Sequence, residues 1–495
     1  MPKPPPRRAA KKSSPLRALP RKTRPAPPDL SQLRLVRRLT IAVPIAMFVL
    51  VALWSVNVPF WDQWDLVPLL EKQADGTLEF HDLWRPHNEH RMPFPKALML
   101  ALAQLSGWWI PLETLLGVGM ATISLAIVAR LLWTHQAQGG TRGMALPPSA
   151  ALLPIMAVML FSPAQSEIWL WGWALQLHLT QTSAIAAIGI LSLARGRWLP
   201  LGIAAGLALV ASYSYASGWM VWLAALPLVV VRERARGAIV WLGAAVVSAL
   251  IYAHDHPLLR SADAAPEPAS IIDLGAYVAV FLGSPIFPYH GRFALVVGVL
   301  GLGGCVWAGL RLWDRRDDET ALHNALPWLG LAALAIGTAV LVAVGRASAY
   351  GIGQALSGRY VMLATPLWLG LGGLIASVAG VTEPERPPAR TIDADGAIVE
   401  TPSKSGGPPP LWTRVVGLVM LFVFAAAIAG TQDLRARHQR LDDARTTLVA
   451  GDDRGTVKED GTPLLYPDGA RLADLSRRLR TLELAGLEPT DDAPR

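Results

Sequence analysis

Along this chain, long apolar runs alternate with short polar connections. Runs long enough to cross a bilayer as helices, about 15 to 23 residues each, fall at 39–58, 111–133, 148–162, 174–193, 199–213, 216–231, 238–253, 291–311, 326–344, 361–380 and 414–430. The pattern predicts an all-α fold, a polytopic transmembrane helical bundle of about 11 spanning helices. Two weaker runs, 93–106 and 271–282, are too short to span and are expected to be interfacial or re-entrant helices.

Charge fixes the expected orientation. With the N-terminus inside and the runs alternating, the basic connections at 135–143, 194–198, 232–236, 311–316 and 383–414 all become cytoplasmic, the arrangement that retained positive charge favours. Residues 1–38 hold twelve Lys or Arg against one acid, Asp29, a net +11 that leaves −3 for the rest of a chain whose total is +8. The basic balance therefore resides in a Pro-rich leader that cannot bury enough apolar surface to fold, and it does not argue for nucleic acid. We read 1–38 as a disordered cytoplasmic tail and 39–430 as the transmembrane domain. Within that domain, 59–110 is an outer loop and 381–413 a Pro/Gly/Ser-rich cytoplasmic linker. Residues 431–495 form a polar tail on the outer side with amphipathic helical periodicity.

Composition agrees: 52% of residues are hydrophobic and only 17% charged, which excludes a soluble multi-domain enzyme. Tryptophan outnumbers phenylalanine 19 to 10, and Trp169, Trp171 and Trp173 in "SEIWLWGWALQLHL" are expected to form an interfacial belt, with a sugar-stacking platform as the alternative. The single cysteine, Cys305, excludes an intrachain disulfide and a Cys-based metal site. No P-loop, dinucleotide fingerprint or internal repeat is present.

On this topology the unusual polar residues gather on the outer side. "PFWDQWD" carries Asp62 and Asp65, and "RPHNEHR" carries His87, Asn88, Glu89, His90 and Arg91. Later outer segments add Glu167, Gln176, His178, Tyr213, Tyr215, Asp255, His256, His290, Arg292, Arg346, Arg359 and Tyr360. Asp65 suits the N-cap of the helix that starts near Trp64, yet carboxylates held between tryptophans at a membrane surface are costly and mark function. Two histidines and a glutamate in "HNEHR" also allow a divalent cation such as Mg or Mn. Arg359 either snorkels to headgroups or clamps a phosphate with its bidentate fork, with Arg346 and Arg292 as companions. Acids to take a proton and cations to hold a phosphate, on a side without nucleotide sugars, suit sugar transfer from a lipid-phosphate donor.

At these residues the chain resembles the glycosyltransferase C superfamily, polytopic enzymes that use polyprenyl-phosphate sugars. In that family an essential acid follows the first spanning helix, and "PFWDQWD" occupies that place; "HNEHR" and "SGRYVMLATP" are similar to segments of bacterial relatives. The resemblance implies a multi-pass protein of the bacterial cytoplasmic membrane with catalytic Asp62, Asp65 and Glu89. His87, Asn88, His90, Arg91, Glu167, Gln176, His178, Arg292, Arg346, Arg359 and Tyr360 would bind substrates. The implied partners are a polyprenyl-phosphate sugar, the bilayer, and a glycan, lipid or protein acceptor of the cell envelope. Where the family often has D-x-D or E-x-D, this chain has D-x-x-D, a spacing that keeps both carboxylates on one face only if 62–65 is helical. A glycolipid transporter or flippase, or a non-catalytic envelope-polysaccharide assembly protein, is the alternative.

Overall fold

The computed structural model describes residues 30–88, 90–138, 152–194, 197–255, 269–379, 390–392, 398–400, 411–450 and 464–488. These are helical throughout, save connecting turns and a short antiparallel pair, β1 (Arg390–Ile392) with β2 (Ile398–Glu400), inside the 381–413 linker. Among the described residues eight helices are long and apolar enough to cross a membrane. The chain is a polytopic helical membrane protein.

Helix α1 (Leu30–Trp54) leads into a segment of three short helices, α2 (Val67–Ala74), α3 (Phe80–Trp84) and α4 (Pro93–Ser106). We call the side of the bundle carrying this 55–109 segment the loop face. Helix α4, at 14 residues, is as short as the sequence predicts; prolines at its start and the left-handed Gly107 at its C-cap bound it. The bundle continues through α5 (Ile110–Gln138), α6 (Leu152–Leu160), α7 (Ser166–Trp169), α8 (Leu175–Leu193), α9 (Trp198–Ser212), α10 (Met220–Ala224) and α11 (Leu226–Ala253). Then come α12 (Ile271–Gly283), α13 (Gly291–Trp313), α14 (Glu319–Tyr350), α15 (Gly358–Ala379), α16 (Leu411–Val449) and α17 (Gly469–Thr481).

The eleven apolar runs map onto these helices. Run 148–162 contains α6, described from Leu152, which ends where the chain turns at Ser162–Pro163 and Gly430 lies against the Pro163–Ala164 backbone too closely for any side chain. Run 199–213 gives α9, 15 residues. Runs 216–231 and 238–253 stay separate: Arg234, with a φ of 58°, breaks α11 between them, Arg232 before it lying at the basic end and Tyr252 after it at the loop face. The expected re-entrant run is α12: Tyr252 and His254 before it hold Arg91, and a Cβ on Gly291 after it would lie 3.8 Å from Leu356, so the chain leaves from and returns to the loop face.

Two features position the site. Helices α12 and α13 cross almost backbone to backbone: a Cβ on Gly298 would lie 1.8 Å from the Ala279 carbonyl oxygen, and one on Gly283 1.8 Å from that of Ala294. The polar tail docks on the loop face through α17. Leu472, Leu475 and Leu479 are fully buried, and Arg478 pairs with Glu71 of α2. On the opposite side the ends of α5, α8 and α14 meet the kinked part of α11 around Arg232. Arg130, Arg232, Glu319 and His323 line a cavity of about 480 Å³ there, and Arg197 pairs with buried Glu233.

Candidate functional site

The acidic segment forms a 3-10 turn, Trp61–Leu66, entered from extended Phe60 and ended where Pro68 starts α2. Residues three apart eclipse in such a turn, so Asp62 and Asp65 project on the same side and the D-x-x-D spacing yields a paired site. Trp61 carries a φ of 51°, costly for a bulky residue, and is held there by its N–H donating to the Leu465 carbonyl at 2.7 Å. Gln63 points the other way and is fully buried. Its Nε2 donates to Glu113 Oε2 at 2.7 Å, while Trp108 Nε1 donates to Glu113 Oε1 at 3.1 Å. Glu113 at the head of α5 thus ties down the turn from below.

The "HNEH" segment faces the two acids. His87 and His90 exchange backbone hydrogen bonds of 2.8 and 2.9 Å across a tight reversal in which Asn88 takes a φ of 49°. The reversal sets the His87 ring between the carboxylates, Nε2 3.7 Å from Asp62 and Nδ1 3.8 Å from Asp65. Trp173 meets the ring edge-on at 4.9 Å. Both separations exceed a hydrogen bond, and the ligand atoms of Asp62, Asp65 and His87 lie within 4.8 Å of one another. That donor set suits Mn²⁺ or Mg²⁺ completed by water or substrate oxygens. Burial raises the Asp65 carboxyl above its ordinary value, against the opposing effects of His87 and of the Tyr466 hydroxyl, which donates to Asp65 at 3.1 Å.

A second cluster adjoins the first. The Glu167 carboxylate accepts from Ser357 Oγ at 2.9 and 3.0 Å and from the Gly358 N–H at 3.2 Å, with Arg359 Nε 3.9 Å away. Arg359 stacks over Tyr360 and lies within electrostatic reach of Tyr215 and Asp62. His90 packs against Tyr215, ring centroids 4.7 Å apart. The acids after the first helix and the arginine at the head of α15 therefore share one face and one neighbourhood.

Other predicted residues lie elsewhere. Arg91 is buried and committed to structure, donating to the carbonyls of Tyr252, Trp84 and His254. Gln176 and His178 sit inside the bundle on α8, His178 5.2 Å from Trp169 and against Gly117. Arg292 is exposed at the start of α13. Arg346 lies over Tyr350 on α14, within electrostatic reach of Tyr277. Tyr360 is buried against Phe281. Glu89 and His256 fall outside the described residues. The tryptophan belt is corrected outright: Trp169, Trp171 and Trp173 are 1, 8 and 1% exposed, part of the core under the site rather than of an interface. Trp171 Nε1 donates to the Phe60 carbonyl, fixing the approach to the acidic turn.

Sequence reasoning missed Glu113, Tyr466 and Arg437. Glu113 had a readable signal, a lone carboxylate opening an apolar run. The two tail residues had none, since only docking of the tail brings them to the site. No protein-family model, curated protein or solved structure matches the chain.

Proposed function

We propose that this protein is a membrane glycosyltransferase that moves a sugar from a polyprenyl-phosphate donor to an acceptor hydroxyl at the loop face. The supporting observation is the convergence of Asp62, paired with Asp65 through His87, with Arg359 across one neighbourhood. Asp62, on the arginine side, takes the acceptor proton; the acceptor oxygen forms a bond to the anomeric carbon as the bond from that carbon to the phosphate oxygen breaks. The bonding pair leaves with the phosphate, and Arg359 stabilises the charge that develops there. Asp65 and His87 orient Asp62 or, with it, hold a cation. The opposite face collects Arg130, Arg197 and Arg232, which supports a cytoplasmic assignment for that face and an extracytoplasmic one for the site.

The test is complementation of a deletion strain with wild type or Asp62→Asn, reading the lipid-linked sugar pool and the envelope glycan by mass spectrometry. Asp62→Asn should reach the membrane in normal amount, leave the donor lipid accumulated and abolish the glycan change. Full restoration by Asp62→Asn would end this reading.

A further inference from the structure

The loop face holds a second cation, half-buried, that the reaction above does not use. Arg437 lies on α16, over the Phe60 ring at 4.6 Å and within electrostatic reach of Glu167. Arg359 approaches Glu167 from α15. Two guanidiniums thus flank one carboxylate whose oxygens already accept from Ser357 and Gly358. The buried Nε–H groups of both arginines lack an acceptor among the described residues. A buried cationic donor without a partner is costly, and two at one place point to a missing anion. The charges in reach, Arg359, Arg437 and Arg440 against Glu167 and Asp62, leave a positive excess for it.

We infer that Arg437 and Arg359 together form the binding site for the phosphate of a lipid substrate, with Arg437 supplied by the C-terminal helix. This rests on the reading of the site given above and adds to it the residue and the ligand chemistry. Planar guanidinium forks on two helices can each present paired N–H donors to phosphate oxygens. A lipid is favoured over a soluble phosphate by the height of Arg437 on a membrane-spanning helix. Leu421, Phe424 and Ile428, 64, 50 and 65% exposed, end about 13 Å below it at 1.5 Å per residue and lie on the opposite side of α16, so Arg437 faces the bundle at headgroup level. A lipid whose chain stays in the bilayer presents its phosphate at that level.

The experiment uses the purified full chain in detergent micelles with three probes: farnesyl phosphate, farnesol and inorganic phosphate. Binding is read by tryptophan fluorescence and thermal shift. Wild type should bind farnesyl phosphate saturably and farnesol not at all. Arg437→Gln should weaken that binding about tenfold, the scale of one charge-assisted contact, and Arg437→Lys, which keeps the charge and loses the fork, should fall between. Where Arg437→Gln fails to fold, Arg437→Lys carries the comparison, and wild-type affinity in the folded variant overturns the inference. If Arg359→Gln alone weakens binding, Arg437 is not part of the site, while the transferase reading stands. If wild type binds no phosphate probe, both fall. Equal affinity for inorganic phosphate would overturn the lipid assignment.

Discussion

Glu113 shows how one buried side chain governs a site it does not enter. Its carboxylate takes the only side-chain hydrogen bonds made by Gln63 and Trp108 among the described residues, so Glu113→Ala strands two buried donors. Such a loss costs roughly 3 kcal/mol. In a double-mutant cycle with Gln63→Leu the two changes should be less than additive, since the partner is already gone; strict additivity in detergent thermal unfolding would disprove the tie. Lys96 offers a pH test on the same loop. Its ammonium donates to the Arg85 carbonyl at 2.7 Å, and burial pushes its pKa down to about 8 from 10.5. Between those values the unfolded chain binds more protons than the folded one, so this group makes stability rise with pH from about 8 to 10.5. Wild type should gain on Lys96→Met across that window, and parallel profiles would refute it.

At the scale of elements, the C-terminal segment decides the architecture of the site. Helix α16 has 39 residues, about 58 Å at 1.5 Å per residue against a hydrocarbon core of about 30 Å. Its last turns therefore project from the bundle and carry Arg437, His438 and Arg445 to the loop. There His438 bonds the Trp54 carbonyl and Arg445 the Asn57 carbonyl. The sequence pattern ended this span at 430, where hydropathy turns polar. Helical structure continues because "TQDLRARHQRLDDARTTL" contains neither Gly nor Pro. That is why the acidic pair was legible, while its partner Tyr466, and Arg437 near Glu167, were not: the first depends on a three-residue spacing, the others on docking that no local pattern encodes. Tyr466→Phe removes the hydroxyl that lowers the Asp65 pKa, so that carboxyl should titrate still higher. The variant should also lose about 1 kcal/mol of stability, and Arg478→Ala, whose ion pair is about a third exposed, no more than about 1 kcal/mol. Larger losses from Arg478→Ala would mean that α17 docks by charge rather than by its leucines. Gly298→Val, by contrast, should disrupt the α12–α13 crossing and cost about 3 kcal/mol; unchanged thermal stability would exclude the close approach.

For the whole molecule, the composition and the run pattern were enough to give a helical membrane bundle, because every backbone polar group in lipid must be satisfied within its own helix. They do not show where the chain reverses. Arg234, with a φ of 58°, breaks α11 between Arg232 on the basic face and Tyr252 on the loop face, and hydropathy does not see it. Parity holds because α12 returns to the face it left. The loop after α1 and the tail after α16 therefore emerge together, and Arg316, just before α14, lies opposite. This can be tested without knowing the substrate, since Cys305 is the only cysteine. In a Cys305→Ala background, His81→Cys on α3 and Arg477→Cys on α17 place thiols at two exposed loop-face positions, and Arg316→Cys places one on the basic face. With the basic face in the cytoplasm, a membrane-impermeant maleimide should label the first two in intact cells and the third only after lysis. Labelling of Arg477→Cys alongside Arg316→Cys would separate the tail from the loop and remove Tyr466 from the acidic pair. Labelling of all three with sides exchanged would keep the architecture and place the chemistry in the cytoplasm, where nucleotide sugars are at hand and a lipid-phosphate donor is no longer required.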